Sequence, residues 1–389
     1  MKVTISCLAK FHALHLAEQL DKRGHLHKLL TSFYSQKRLC LPELRKDMEK
    51  ITPERVITNI LPVLMGRLLN KIPFINRIGR FDYSIEFFDK WAASQLNESD
   101  VVVVWSNAAT HTLKATKRHA AISVIERGST HILFQKEILE EEYEKHGLKI
   151  KPIDERVVCE ELANYLSADY ISIPSKFAKQ TYIDRGIDSK KLIQVPYGVD
   201  LKTFKSSLKE DKIFRVIFVG NLSLRKGVHY LLEAFSKLKL KNAELVLIGS
   251  VSPEIDQFLK KYRDCYRYLG VIPHVELCKY LSQGSVFVLP SIEEGLAMVI
   301  PQAMACGLPI ICTINTGGEE MIRDNKDGFI VPIRNAEAIK EKIIYLYEHP
   351  QIREEVGRSA KERVEKEFTW DNYGEKVVSE YLRILSLKR

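Results

Sequence analysis

The sequence predicts an α/β fold made of two Rossmann-like, doubly wound domains facing a cleft. Short β-branched runs alternate with helical patterns in both halves, 389 residues exceed one compact core, and a Pro/Gly-punctuated stretch divides the chain. In the first half Val3 to Cys7, Val101 to Trp105, Ala121 to Ile125 and Tyr170 to Ile173 read as buried strands. The second half repeats the idiom with Phe214 to Val219, Leu245 to Ile248, Val286 to Leu289 and Ile310 to Cys312. Between them Val195-Pro196-Tyr197-Gly198-Val199-Asp200 runs into the charged, poorly apolar stretch 201–212, which reads as an interdomain hinge. The last segment, Phe368 to Leu387, carries Trp370, Tyr373, Val377, Val378, Tyr381, Leu382 and Leu385 as an apolar stripe and predicts a terminal helix that packs on the body.

Composition, 45% hydrophobic and 28% charged, is that of a globular protein and excludes disordered and fibrous classes. Seven cysteines (7, 40, 159, 265, 278, 306, 312) are scattered and never spaced CxxC, which argues against a disulfide framework or a zinc site and for a reducing cytoplasm. The opening MKVTISCLAK has no cleavage pattern, and no stretch reaches the ~18 apolar residues of a membrane span, so a protein neither exported nor integral is expected. Residues 1–80 hold 15 Lys+Arg against 6 Asp+Glu, which accounts for the whole net charge of +9. Within them 56–81 interleaves apolar residues with Arg67, Lys71, Arg77 and Arg80 and has no acid. Such a segment suits an anionic membrane surface, as on the inner face of a plasma membrane, or else a packed helical pair with a solvated basic face. Pro62 and Pro73 break any single long helix there. No stacking aromatics or reading motif accompany the basic residues, so nucleic acid is not an expected partner.

The densest chemistry lies in Ser291 to Pro309, SIEEGLAMVIPQAMACGLP, between a strand and a helix starting near Val299. Gly295 lets the chain pass close to a ligand, the following amides can face phosphate oxygens, and Glu294 can accept from sugar hydroxyls. An ordinary βα turn with a solvated Glu-Glu pair is the plain alternative. In FRVIFVGNLSLRKG, Arg225 and Lys226 stand at a helix start, where the dipole disfavours cations, so the placement points to a diphosphate. No Asp-x-Asp occurs, and no His/Asp/Glu group is expected with metal-ligand spacing on a helix, so phosphate charge falls to Arg, Lys and dipoles. The Gly-x-Ser-x-Gly elbow and the Walker A pattern are absent as well, which removes serine hydrolases and P-loop enzymes. In the first half VIERGSTH places Glu126, Arg127, Ser129 and His131 after a strand end, where ligands or caps and salt bridges are equally served. Lys136 to Lys145 reads as a solvated helix face; His12, after the first strand, is in position to reach the cleft from the β1 loop, though a satisfied surface histidine is the plainer reading.

With those residues in place, the second half resembles the retaining GT-B glycosyltransferases of family 4 (group 1). The matching pieces are PYGVD at 196–200, VGNLSLRKG at 219–227, LVLIGS at 245–250, YLG at 268–270, the stretch 286–311, TGGEE at 316–320 and DGFIVP at 327–332. The resemblance implies a nucleotide-diphosphate sugar donor on the C-terminal domain, a glycan or lipid-linked acceptor on the N-terminal domain, and no metal or other cofactor. It implies domains at 1–198 and 199–367, with 368–389 packing back on the first. Glu294 would take donor sugar hydroxyls, the backbone of Leu296, Ala297 and Met298 the diphosphate, Lys226 its charge, and Val271 and Ile272 the base. Gly220, Asn221, Gly249, Gly295 and Gln302 complete the donor set. Two departures stand out: Gln302 replaces the family's second Glu, expected on the ribose, and Asn221 replaces a frequent Arg, for which Arg225 would compensate. Glu126 or His131 would stand near the reacting carbon. ERGSTH with Glu141 and Glu142 resembles a bacterial subgroup associated with surface polysaccharides. The implied reaction is glycosyl transfer with retention; a silent nucleotide-sugar-binding or membrane-scaffold protein and a GT-B phosphorylase or hydrolase are the alternatives.

Overall fold

The structure, a computed structural model, describes all residues except 9–11, 33–49, 70–82, 107, 150 and 389. Its first part runs β1 (Val3–Ser6), α1 (Ala13–Lys22), β2 (Leu26–Thr31), β3 (Val56–Thr58), α2 (Leu61–Leu69), α3 (Tyr83–Ser94), β4 (Val101–Trp105), α4 (Thr110–Arg118), β5 (Ile122–Glu126), α5 (Ile132–Lys145), α6 (Glu155–Ser167), β6 (Tyr170–Ile173), α7 (Lys176–Ile183) and β7 (Leu192–Gln194). These strands form a parallel sheet of order β3-β2-β1-β4-β5-β6-β7. The second part runs β8 (Phe214–Val219), α8 (Val228–Ser236), β9 (Ala243–Ile248), α9 (Asp256–Lys261), β10 (Arg267–Tyr268), α10 (Leu277–Ser282), β11 (Val286–Leu289), α11 (Val299–Ala305), β12 (Ile310–Thr313), β13 (Gly328–Val331), α12 (Ala336–Glu348) and α13 (Pro350–Glu367). Its parallel sheet has the order β10-β9-β8-β11-β12-β13.

The strands read from sequence are the central ones, whose unbroken apolar runs follow from burial on both faces. Those that went unread, β2, β3, β7, β10 and β13, lie toward the edges or carry polar interruptions, as in LHKLLT of β2. In both sheets strand order reverses beside the first strand, between β1 and β4 and between β8 and β11, and such points open crevices at the carboxyl ends.

The basic segment 56–81 is not a helical pair from its start, because Val56–Thr58 adds as an edge strand beside β2. Pro62 does not break α2; it sits in the first turn, where its fixed φ suits a helix start, and the Asn59 side chain accepts from the Leu61 amide at 3.0 Å. Gly66 lets α2 cross α3, since a Cβ there would stand 2.0 Å from Ser84 Oγ. Lys71, Pro73, Arg77 and Arg80 lie outside the described residues, as does the Arg67 side chain. Among the described residues no helix is long and apolar enough to cross a membrane.

At the end of α13 the chain returns to the first part. Val199 N donates to Phe368 O at 2.9 Å, and Gly198 is so close that a Cβ would meet Trp370 N at 2.5 Å. Helix α14 (Trp370–Lys388) then packs on α1, with Trp370 stacked on His15 at 4.0 Å and Arg23 donating to Asp371 O at 3.0 Å. Its buried face is Trp370, Tyr373, Gly374, Val377, Tyr381 and Ile384; Leu382, expected in the stripe, is exposed because it falls off that 3.6-residue period.

Candidate active site

The loop between β11 and α11 is pinned on both sides. Glu294 N donates to Asn315 O at 2.8 Å and Ala297 N to Thr316 O at 3.2 Å, so the Ala297 amide is engaged within the protein rather than turned toward a ligand. Leu296 and Met298 have no backbone acceptor among the described residues. Gly295 is needed for a reason the sequence did not show: a Cβ would lie 2.3 Å from Gly128 O of the opposite part. Ser175 Oγ also donates to Gly295 O at 2.5 Å, so this turn is where the two parts touch.

Cations converge on it from the β8–α8 loop. Gly227, in the left-handed region at φ 64°, caps α8 and presses against Pro290 O, which delivers the two preceding side chains to the acidic pair. Lys226 Nζ forms an ion pair with Glu294 Oε1 at 2.5 Å, and Arg225 Nη2 lies 3.7 Å from Glu294 Oε2. The pair is therefore not solvated. Its first member, Glu293, was not singled out from sequence, yet it is fully buried and accepts from five groups. Arg225 Nε donates at 2.9 Å, Ser129 Oγ at 2.7 Å, Thr130 Oγ1 at 2.6 Å, Thr130 N at 3.2 Å and Gln135 Nε2 at 2.8 Å. Burial alone would raise the Glu293 carboxyl, but the Arg225 charge and these donors outweigh it and hold it at about 2. Arg225 stays firmly protonated, because Glu293 and Glu294 overcome its desolvation. The polar ERGST stretch thus serves the junction between the two parts: Ser129 and Thr130 bind Glu293, while Arg127 is half-buried against Tyr165, Gln135 and Glu161.

Among the other residues expected at the donor, Gly249 abuts Gly220, where a Cβ would stand 1.8 Å from the Gly220 carbonyl oxygen. Asn221 is held by Ser252 at 2.9 Å and Ser250 at 3.1 Å. Val271 is exposed and Ile272 half-buried in the loop before α10. Gln302, buried on α11, places Nε2 3.1 Å from Nε2 of His274 in that same loop.

Glu126 ends β5 and contacts His12, whose burial contradicts the surface reading of that histidine. Both are buried, His12 Nε2 stands 3.1 Å from Glu126 Oε2, and the imidazole lies 4.3 Å from the Tyr197 ring and 5.1 Å from Trp105. Glu126 Oε1 is buried with no hydrogen-bond partner among the described residues. His131 is a cap: its Nδ1 accepts from Leu133 N at 3.2 Å at the start of α5. Burial, helped by the Arg185 and Arg127 charges, depresses it to about 4, so it is a neutral acceptor. That capping bond occupies the lone pair a general base would use.

The stretch 136–145 is not a wholly solvated face either. Glu142 is fully buried and meets His229, Tyr230 and Arg334 of the second part. One turn on, His146 joins the same carboxylate, so the expectation that no His/Asp/Glu group has metal-ligand spacing on a helix fails here. The signal was present as Glu-x3-His, but the third member comes from far along the chain.

Comparison with solved structures decides the architecture. The chain superposes over its full length, and the full length of the other chain, on sucrose-phosphate synthase from Thermosynechococcus elongatus, with a TM-score of 0.72 at 18% identity. The fold is GT-B. Anabaena HepE in complex with UDP and glucose is similar over 98% of this chain and 99% of that one, with a TM-score of 0.69 at 15% identity. Residues 200–363, the second GT-B domain, match the family described as Glycosyl transferases group 1. Among curated relatives, the capsular polysaccharide biosynthesis glycosyltransferase CapM of Staphylococcus aureus is 29% identical over 249 residues, which are 58% of this chain and 64% of CapM.

Proposed function

We propose that the protein is a retaining, metal-independent glycosyltransferase that moves a sugar from a nucleotide-diphosphate donor to a glycan or lipid-linked acceptor. The carrying observation is the Lys226–Glu294 ion pair, with Arg225 beside it, in the loops after β8 and β11 of a GT-B cleft. The two partners neutralise each other. A donor would separate them: Lys226 and Arg225 move onto the diphosphate, while Glu294 accepts from the sugar hydroxyls. Charge developing on the leaving diphosphate is then met by two cations and by the amides of Leu296 and Met298, which supplies the neutralisation a metal ion would otherwise provide. The acceptor would approach from the side of Glu126 and His12 in residues 1–198, the donor would occupy 199–367, and the helix 368–389 ties the two together. Closure excludes water and holds the acceptor hydroxyl on the face of the departing diphosphate.

The likeness to CapM supports a glycan of the cell surface as the acceptor class, worked on from the cytoplasmic face. A peripheral membrane attachment is supported by α2, whose Leu61, Leu64, Met65 and Leu68 are exposed, Leu68 at 66%, in the segment that also carries Arg67, Lys71, Arg77 and Arg80 without an acid. A second reading, a donor-binding protein without turnover, is favoured by Gln302, whose amide is paired to His274 in place of a carboxylate. The test is a thermal-shift screen of UDP, GDP, ADP and their sugars, followed by product analysis with lipid-linked and glycan acceptors. A transferase gives a nucleotide-dependent rise in melting temperature and an α- or β-linked product of unchanged anomeric configuration. Binding without consumption of any donor establishes the second reading, and release of free sugar without acceptor makes it a hydrolase.

A further inference from the structure

Away from the donor loops, the two GT-B domains meet at a second buried polar cluster. Glu142 and His146 lie one turn apart at the end of α5, and His229 opens α8. Glu142 Oε1 receives His229 Nε2 at 2.9 Å, His146 Nε2 at 3.2 Å and the Tyr230 hydroxyl at 2.9 Å. Its other oxygen, Oε2, accepts from Arg334 Nε at 2.6 Å, and Arg334 also pairs with Glu141 at 2.9 Å. Lys145 Nζ stands 3.1 Å from the Tyr230 hydroxyl. Glu142 is fully buried and His229 nearly so, while His146 reaches partly to solvent.

Three polar groups from both domains therefore gather on one carboxylate oxygen. Two imidazole nitrogens and one carboxylate oxygen lying within 4.8 Å of one another are also the ligand set of a tetrahedral zinc ion, whose ligand atoms stand roughly 3.3 Å apart at bonds of about 2.0–2.1 Å. The supporting groups suit the same role. Arg334 fixes the second carboxylate oxygen, as outer-shell partners of ligating carboxylates do. The charges facing the cluster are Arg334, Lys145 and Glu141; Arg334 is already neutralised by two carboxylates.

We propose that Glu142, His146 and His229 form a binding site for a divalent transition ion of the zinc type, which clamps α5 of the first domain to α8 of the second. Helix α8 follows directly on the Lys226–Gly227 turn, so an ion seated here fixes the base of the element that delivers Lys226 and Arg225. It takes no part in the diphosphate chemistry, which needs no metal in the reading above.

The experiment uses the full chain, stripped with chelator and free of donor and acceptor, so that metal binding stands or falls apart from any transferase activity. Zn²⁺ is titrated calorimetrically and Co²⁺ by its visible d–d absorption, against wild type, His229→Ala and the milder, partly exposed His146→Ala. One ion per chain in wild type, a melting temperature raised by saturating Zn²⁺, and a Kd weakened at least about tenfold in both variants establish the site. Circular dichroism of the stripped proteins shows that each variant is folded, and His146→Ala alone decides if His229→Ala is not. No stoichiometric binding to wild type, or equal binding by wild type and the folded variants, overturns it.

Discussion

Glu293 and Glu294 are adjacent in the chain and opposite in use. Glu293 satisfies five donors and is fully buried, whereas the Glu294 carboxylate meets, among the described residues, Lys226 and the far end of Arg225. Glu293→Ala therefore leaves Arg225 without its main partner and should lower stability by about 3–5 kcal/mol in urea unfolding. Glu294→Ala should leave the unfolding midpoint nearly unchanged and reduce turnover by about 10²-fold, a split that steady-state kinetics on both variants reads directly. The Glu293 carboxyl also sets an acid limit. Its folded pKa of about 2 lies below the ordinary 4.5, so its contribution is present above pH 4.5 and is lost as pH falls from 4.5 toward 2. His131 acts earlier: depressed from 6.5 to about 4, it favours the folded state fully above pH 6.5 and loses that contribution between 6.5 and 4. Denaturant midpoints should fall across that window in wild type and fall less in His131→Asn, which keeps a capping oxygen. Glu294, Lys226 and Arg225 were legible in the sequence because they sit in short contiguous motifs beside a strand. Glu293 with Ser129 and Gln135, and His12 with Glu126, were not, since their partners lie more than a hundred residues away and leave no local periodicity.

At the scale of elements, the sequence conveyed the buried central strands and missed those toward the edges, where polar or half-exposed residues dilute the apolar run. The same dilution turned Val56–Thr58 into part of a supposed helical pair. The crossing of α2 and α3 depends on Gly66, and Gly66→Ala should destabilise by about 1–3 kcal/mol, because the new methyl meets the Ser84 backbone as well as its hydroxyl. The exposed apolar face of α2 predicts a different outcome. Leu64→Gln with Leu68→Gln should abolish sedimentation with vesicles of phosphatidylserine and phosphatidylcholine while leaving the melting temperature within a degree or two of wild type. Replacing Arg67, Lys71, Arg77 and Arg80 by Gln should make the remaining binding insensitive to salt. Sedimentation of both variants equal to wild type would show that this face docks elsewhere.

For the whole molecule, closure depends on backbone meeting backbone at Gly128 and Gly295, with the Glu293 network behind it. Gly295→Ala places a Cβ 2.3 Å from the Gly128 carbonyl oxygen, so the domains should part there. Small-angle scattering should report a larger radius of gyration, and turnover should fall more than donor affinity, since donor contacts belong to one domain and acceptor capture needs both. An unchanged radius would mean that the loop yields instead. The crossing at Thr369 has a consequence for biogenesis. Because α14 covers α1 and buries Trp370, Tyr373 and Tyr381 against the first domain, that domain is finished by residues made after the entire second domain. On the ribosome the first sheet can assemble early, but its α1 surface stays uncovered until the last helix emerges. The nascent chain therefore carries an exposed apolar seam throughout synthesis of the donor domain, and there it depends most on chaperones.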